Sequence, residues 1–140
     1  MSFIEAVRVC LSEKYFTISG RASRSEYWWF TLAGGLFAFI LGLSIAFAIL
    51  LVDQISGTLY AMLMLFFVMA MLALIVPSIT VTVRRLHDTG RSGWWYFVTF
   101  LPYVGSIILL VFTLLPSEEG ENEYGPNPNA VEENETFIEE

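Results

Sequence analysis

One short stretch carries most of the groups in this sequence that could do chemistry: Arg84-Arg85-Leu86-His87-Asp88-Thr89-Gly90-Arg91-Ser92-Gly93. Guanidinium groups offer planar donor forks suited to phosphate, and Ser, Thr and Gly amides can complete an anion nest. Were the segment helical throughout, Arg84, His87, Asp88 and Arg91 would align at i, i+3, i+4 and i+7. Gly90 and Gly93 argue instead that the helix unwinds partway. A lipid phosphate or another anionic headgroup is the ligand such chemistry suits. The plainer reading makes these arginines topology signals and lipid-surface anchors. His87 beside Asp88 suggests acid/base work, because imidazole titrates near neutrality and a carboxylate can fix its tautomer. Adjacent residues on a helix do not face each other, however. The sequence also shows no nucleophile motif, metal-ligand spacing or phosphate loop, so no catalytic residue is assigned.

A second basic-aromatic cluster, Gly20-Arg21-Ala22-Ser23-Arg24-Ser25-Glu26-Tyr27-Trp28-Trp29-Phe30, supplies possible partners. Arg21 or Arg24 could pair with Asp88, and Glu26 with Arg84, Arg85 or Arg91. Glu26 has a second use as the last residue of a capping box with Ser23. Cys10 is the only cysteine and His87 the only histidine, so no disulfide framework or clustered Cys/His metal site can form within one chain. Met62, Met64, Met69 and Met71 scatter around a helix and read as filler or lipid-facing groups rather than a soft-metal path. Neither a metal nor a cofactor is expected. So few charges beside a membrane also argue against a nucleic-acid partner.

The elements that must position these groups are membrane helices. The chain is 56% hydrophobic and 15% charged, far from a soluble balance. Its formal charge of -7 misleads, because nine of the fourteen carboxylates fall in 117–140, which holds no Lys or Arg. The rest carries seven Lys and Arg against five Asp and Glu, a basic body with an acidic tail. Charge-free runs at Tyr27–Val52, Gln54–Val83 and Ser92–Ser117 each suffice for the ~20 residues that cross a bilayer core. In lipid they must be helices, with Pro77 and Pro102 as kinks. Three spans follow, at about 27–52, 58–83 and 93–116. Ala46-Phe47-Ala48 mimics a leader cleavage box but sits inside a longer apolar run, so the segment is kept as mature protein.

Ser2 and Glu5 form a capping box ahead of a short amphipathic helix with Phe3, Val7, Cys10 and Leu11 on one face. It either lies in the membrane interface or packs on the protein itself. Lys and Arg alternate across the connectors: four before the first span, none in the first turn, three at Arg84–Arg91, none in the tail. The positive-inside rule then makes the N-terminus cytoplasmic and the C-terminus external. A cytoplasmic C-terminus would follow if the third run, broken at Pro102 and Gly105, folded back as a re-entrant hairpin. Trp28, Trp29, Trp94 and Trp95 all flank the basic connectors, where interfacial anchors belong. Gly34, Ala38, Gly42 and Ala46 make a ladder of small side chains for close packing against another span or another copy. Residues 1–128 are read as one multi-pass domain and 129–140 as a disordered acidic tail. Tyr124-Gly125-Pro126-Asn127-Pro128 is either an exposed turn or an aromatic docked on the body.

Arg21 through Trp28, Arg84-Arg85-Leu86-His87-Asp88 ahead of Gly93-Trp94-Trp95, and Asn122-Glu123-Tyr124-Gly125-Pro126-Asn127-Pro128 together resemble the bacterial inner-membrane family of domain of unknown function 805 over roughly residues 12–128. The resemblance implies a multi-pass plasma-membrane protein and brings no activity with it. Glu123 departs from it, standing where similar members often carry Arg. The expectation is therefore an all-α membrane protein of three spans, with an interfacial N-terminal helix and a flexible acidic tail. Its expected role is non-enzymatic: a scaffold, sensor or regulator whose cytoplasmic face binds anionic lipid, or a partner protein or second copy. An oligomeric transporter or channel subunit is the first alternative, although the spans carry no ionisable residue to select an ion. A lipid-modifying enzyme using His87 and Asp88 is the second.

Overall fold

In the computed structural model, which describes residues 1–51 and 57–130, helix α1 is Phe3–Arg8 and passes into a wider π-type turn, Val9–Glu13. Both arms of the N-terminal capping box form: Glu5 N donates to Ser2 Oγ at 3.4 Å and Ser2 N to the Glu5 carboxylate at 3.1 Å. The expected apolar stripe is divided. Cys10 is buried with Ala6 and Val9, while Phe3 and Leu11 remain exposed. The π turn advances the chain by more residues per turn than the 3.6 on which the stripe was drawn. α1 lies against the next helix, with the Phe3 ring edge-on to Trp29 at 5.7 Å between centroids.

Helix α2, Arg24–Leu51, begins where the second capping signal places it. Glu26 N donates to Ser23 Oγ at 3.2 Å; the Glu26 carboxylate is used elsewhere. Helix α3, Gly57–Asp88, continues past Pro77. Proline has no N–H for the carbonyl four residues back, and that carbonyl, Ala73 O, accepts instead from the Tyr15 hydroxyl at 2.5 Å. α3 ends at a glycine in the left-handed region, Gly90 (φ 69°). Gly90 N donates to His87 O and Arg91 N to Leu86 O, each at 3.0 Å, the paired bonds of a Schellman stop. The helix thus ends short of Arg91, which leaves the face it was expected to share with Arg84, His87 and Asp88.

α2 and α3 are long and apolar enough to cross a membrane. They leave Phe39, Leu43, Phe47, Met62, Leu65 and Met69 exposed, an apolar surface that water-soluble monomers rarely show. The core of Cys10, Ala22, Phe30 and Val81 sits at one end, where α1, the start of α2 and the last turns of α3 meet. Along the small-residue ladder, Gly34, Ala38 and Gly42 are partly exposed and Ala46 is exposed. A Cβ built on Gly34 or Gly42 meets nothing within 4 Å. Among the described residues, no helix therefore fills the ladder at those two glycines.

The run expected as a third span over 93–116 is not one continuous helix. Gly93–Phe100 forms a 3₁₀ helix, the chain turns at Leu101–Val104, and helix α4, Gly105–Leu114, runs back along it. Tyr103 takes a positive φ of 68° at the tip. Gly105 is required there because a Cβ would run into the Val98 carbonyl. Ten α-helical residues cover roughly half the 30 Å hydrocarbon thickness at 1.5 Å each. Ser117 and Glu118 consequently return to Asp88, with Glu118 N 2.8 Å from Asp88 O. The start of the tail lies at the end of the molecule where α2 begins, and not across from it as three crossings would demand. Residues 122–128 are docked rather than free. The first inter-helix turn and most of the expected disordered tail fall at 52–56 and 131–140, outside the described residues.

Candidate functional site

Four segments distant in sequence converge on a buried ionic junction. Ser23 caps α2 so that the preceding strand of chain, Gly20 to Ala22, lies along the end of α3, where Ala22 N donates to Arg84 O at 3.0 Å. Arg21 is then aimed at Asp88, its Nε donating to Oδ1 at 2.9 Å. The rest of its guanidinium is spent on main-chain carbonyls: Gly120 at 2.7 Å, Glu118 at 2.6 Å, and more distantly Gly125 and Asp88. Arg85 pairs with Asp88 Oδ2 and donates to the carbonyls of Thr113, Ala22 and Leu115. Asp88 also accepts from Ser117 Oγ at 2.5 Å. One carboxylate thus holds two guanidinium groups and the beginning of the tail.

Arg84 pairs with Glu26, whose other neighbour is the Cys10 sulfur at 3.7 Å. Both arginines from α3 are fully buried, as are Arg21, Glu26 and Asp88 to within a few percent. Buried cations are tolerated only when paired and hydrogen-bonded, and these meet that condition apart from Arg84 Nε, which has no partner among the described residues. Burial chiefly, and then the neighbouring Glu26, pushes the Cys10 thiol up to about 11 against the pull of Arg84. Cys10 is therefore a buried, packed thiol whose protonated form is favoured.

The expected pairings of Arg21 with Asp88 and Glu26 with Arg84 are both present; the Arg85–Asp88 pair within α3 is an addition. Arg24 is exposed, beside Ser25, Trp28, Trp29 and Leu32 in a shallow groove. Arg91 lies over the Phe112 ring at 4.2 Å from its centroid. His87 and Asp88 serve different partners: His87 Nδ1 is 3.2 Å from Gly20 O, and its ring stacks on Tyr124 at 3.9 Å with 5° between planes. Asn122 Nδ2 donates to His87 O at 3.0 Å, fixing the tail turn over the end of α3. The hydrogen bond that the Tyr124 phenol donates to the Glu123 carboxylate, and then burial, raise the phenol above its usual value. Trp28, Trp29, Trp94 and Trp95 all lie at this end. Tyr15 and Ser117 carry no signal in the sequence; Asn122 enters only as the first residue of the tail motif around Tyr124. Among the described residues no group of three or more His, Cys, Asp and Glu could hold a metal ion.

A family model described as "Protein of unknown function (DUF805)" matches residues 15–126. The chain is 36% identical over 127 residues to inner membrane protein YhaH of Escherichia coli (strain K12), covering 83% of this chain and 90% of that one. It is 35% identical over 116 residues to inner membrane protein YhaI of the same organism, covering 83% and 89%. A shorter likeness, 33% over 94 residues, is to uncharacterized protein YiiR of that strain, covering 64% of this chain and 53% of that one. No solved structure matches.

Proposed function

The chain belongs to the DUF805 family, and from that premise we propose that it is a non-enzymatic inner-membrane component, a scaffold or regulator presenting a rigid polar face to the cytoplasm. The observation that carries this reading is the ionic junction. Arg21, Arg84 and Arg85 are buried, with their guanidinium groups turned onto Asp88, Glu26 and main-chain carbonyls. Such a network ties the N-terminal segment, α3 and the tail into one platform instead of offering its charges to a substrate. His87 and Asp88 point into separate networks, which weakens an acid/base pair between them. Inner-membrane placement rests on the names of the relatives YhaH and YhaI and on the exposed apolar flanks of α2 and α3. The Lys and Arg distribution assigns the platform to the cytoplasmic side.

Anionic headgroups are contacted by the exposed rim, chiefly Arg24 in its groove with Trp28 and Trp29, since the buried arginines are engaged internally. The ladder of Gly34, Ala38, Gly42 and Ala46, open at its two glycines, packs against a second copy or another membrane protein. Native mass spectrometry of the full chain from gentle detergent tests both. Retained phosphatidylglycerol should fall with Arg24→Ala, and any oligomer should be lost with Gly42→Leu. Reproducible ion or solute flux in liposomes that is lost with the oligomer would favour a transporter or channel subunit. Turnover of a lipid abolished by His87→Ala would favour an enzyme.

A further inference from the structure

Beside the ionic junction, and separate from Arg24, lies a cavity of about 610 Å³. The 3₁₀ helix stands off the last turns of α3 there, and Gly93 sets the spacing: a Cβ on it would come within 2.7 Å of Val83 Cγ1 and 3.3 Å of His87 Nε2. Val83, Ile18, Trp94 and Phe97 form an apolar wall. Trp94 and Phe97 are themselves exposed, at 77% and 55%, so the wall continues outward on the side where the tryptophan anchors lie. The polar part of the lining is His87, Ser92, Tyr124 and Glu123. A volume of this size suits one small amphipathic molecule, since ligand pockets run to roughly 300–1,000 Å³ with a few polar groups fixing orientation.

The charge at the polar end selects the headgroup. Among the lining residues Glu123 is the one Asp, Glu, Lys or Arg, and it is exposed enough to meet a ligand. The arginines that would draw a phosphate are consumed next door: Arg21 and Arg85 by Asp88, Arg84 by Glu26. His87 directs Nδ1 to Gly20 O, so its neutral form presents Nε2 beside Gly93 as an acceptor. The Glu123 carboxylate accepts from the Tyr124 phenol but keeps further lone pairs, and with the imidazole nitrogen it makes an acceptor-rich pole beside an apolar wall. A ligand bearing N–H donors and a positive charge at one end, with a hydrocarbon chain at the other, complements both.

We propose that this cavity binds an aminophospholipid, its primary ammonium held by Glu123 and the upper part of an acyl chain laid between Val83, Trp94 and Phe97. The inference rests on the membrane placement above, but not on which side the platform faces or on anionic lipid at Arg24. Native mass spectrometry of the full-length protein, with palmitoyl-oleoyl phosphatidylethanolamine, phosphatidylcholine and phosphatidylglycerol added in equal amounts, tests it. Phosphatidylethanolamine should be retained on the order of tenfold over phosphatidylcholine, whose quaternary ammonium has no N–H to donate. Glu123→Gln should erase that preference and Glu123→Arg should turn it toward phosphatidylglycerol. Phosphatidylethanolamine with brominated acyl chains should quench Trp94, seen as quenching lost in Trp94→Phe. Equal retention of the three lipids, or a preference indifferent to both Glu123 variants, overturns the proposal. Displacement by free ethanolamine at the lipid's own concentration would show a soluble amine as the ligand and overturn the lipid assignment.

Discussion

Arg21 Nε and Asp88 Oδ1 stand 2.9 Å apart, both side chains buried, across a separation of 67 positions in the chain. Asp88 simultaneously holds Arg85 and Ser117, so it is the point through which the N-terminal segment, α3 and the tail are joined.

Asp88→Asn should therefore be the most damaging conservative change at this face. The amide keeps the shape but leaves two guanidinium groups buried without their counter-charge, a loss of about 3–5 kcal/mol. Thermal unfolding in detergent should show a fall of many degrees, whereas Arg24→Ala, on an exposed side chain, should shift stability by no more than about 0.5 kcal/mol. Similar melting temperatures for the two variants would show that the junction does not hold the fold together.

The pairing of Tyr15 with Pro77 predicts a coupling between residues that do not bond to each other. Tyr15→Phe removes the side-chain donor to Ala73 O, an exposed hydrogen bond, and should cost about 0.5–1.5 kcal/mol, the net range for one such bond. In a Pro77→Ala background the new amide N–H of residue 77 can satisfy that carbonyl within the helix. Tyr15→Phe should then cost clearly less. Additive effects in this double-mutant cycle would mean that Ala73 O is served otherwise.

The helices α2 and α3 were legible because long charge-free runs and the Ser23 cap are local signals that lipid leaves little freedom to override. Two of the ion pairs were legible from topology alone, since α2 starts and α3 ends at the same face. The third run misled because composition measures apolar length and not direction. Its 24 residues at 93–116 suffice for a span, and only Pro102 and Gly105 hinted at the reversal. What decides the matter is the close approach of Gly105 to the Val98 carbonyl, a tertiary contact. The same limit hid the docked tail, because a turn such as Asn122–Gly125 reads alike whether it faces water or caps His87. It also explains why the arginines looked like an open anion site: most of their partners are main-chain carbonyls, which no side-chain pattern reveals.

Cys10 gives a pH-dependent test. Its thiol is raised from 9.0 to about 11 in the folded protein, so between those values the folded state binds more protons than the unfolded one. This contribution to stability is complete below pH 9 and is lost as pH rises toward 11. Alkylation by iodoacetamide at pH 8 should be slow until the protein is unfolded, and Cys10→Ser should flatten the alkaline fall in stability. Rapid labelling of the folded protein at pH 8 would show an accessible, ionisable thiol instead.

The return of the third run predicts where the termini lie. Two crossings by α2 and α3 followed by a hairpin at Gly93–Leu114 leave the tail on the side from which the chain entered, because Glu118 bonds to Asp88 at 2.8 Å and Arg21 reaches the carbonyls of Glu118 and Gly120. The three-crossing arrangement would set these partners on opposite sides of a hydrocarbon layer about 30 Å thick. With Lys and Arg concentrated at this end, a reporter that fluoresces only in the cytoplasm should be active at either terminus of the full chain. One that acts only outside should be silent at both. Gly105→Val should lower thermal stability by opening the hairpin where its branched side chain meets the Val98 carbonyl, without moving the N-terminal reporter. An externally active C-terminal reporter in the unaltered chain would restore the third span, and with it an Asp88 that must find its partners elsewhere.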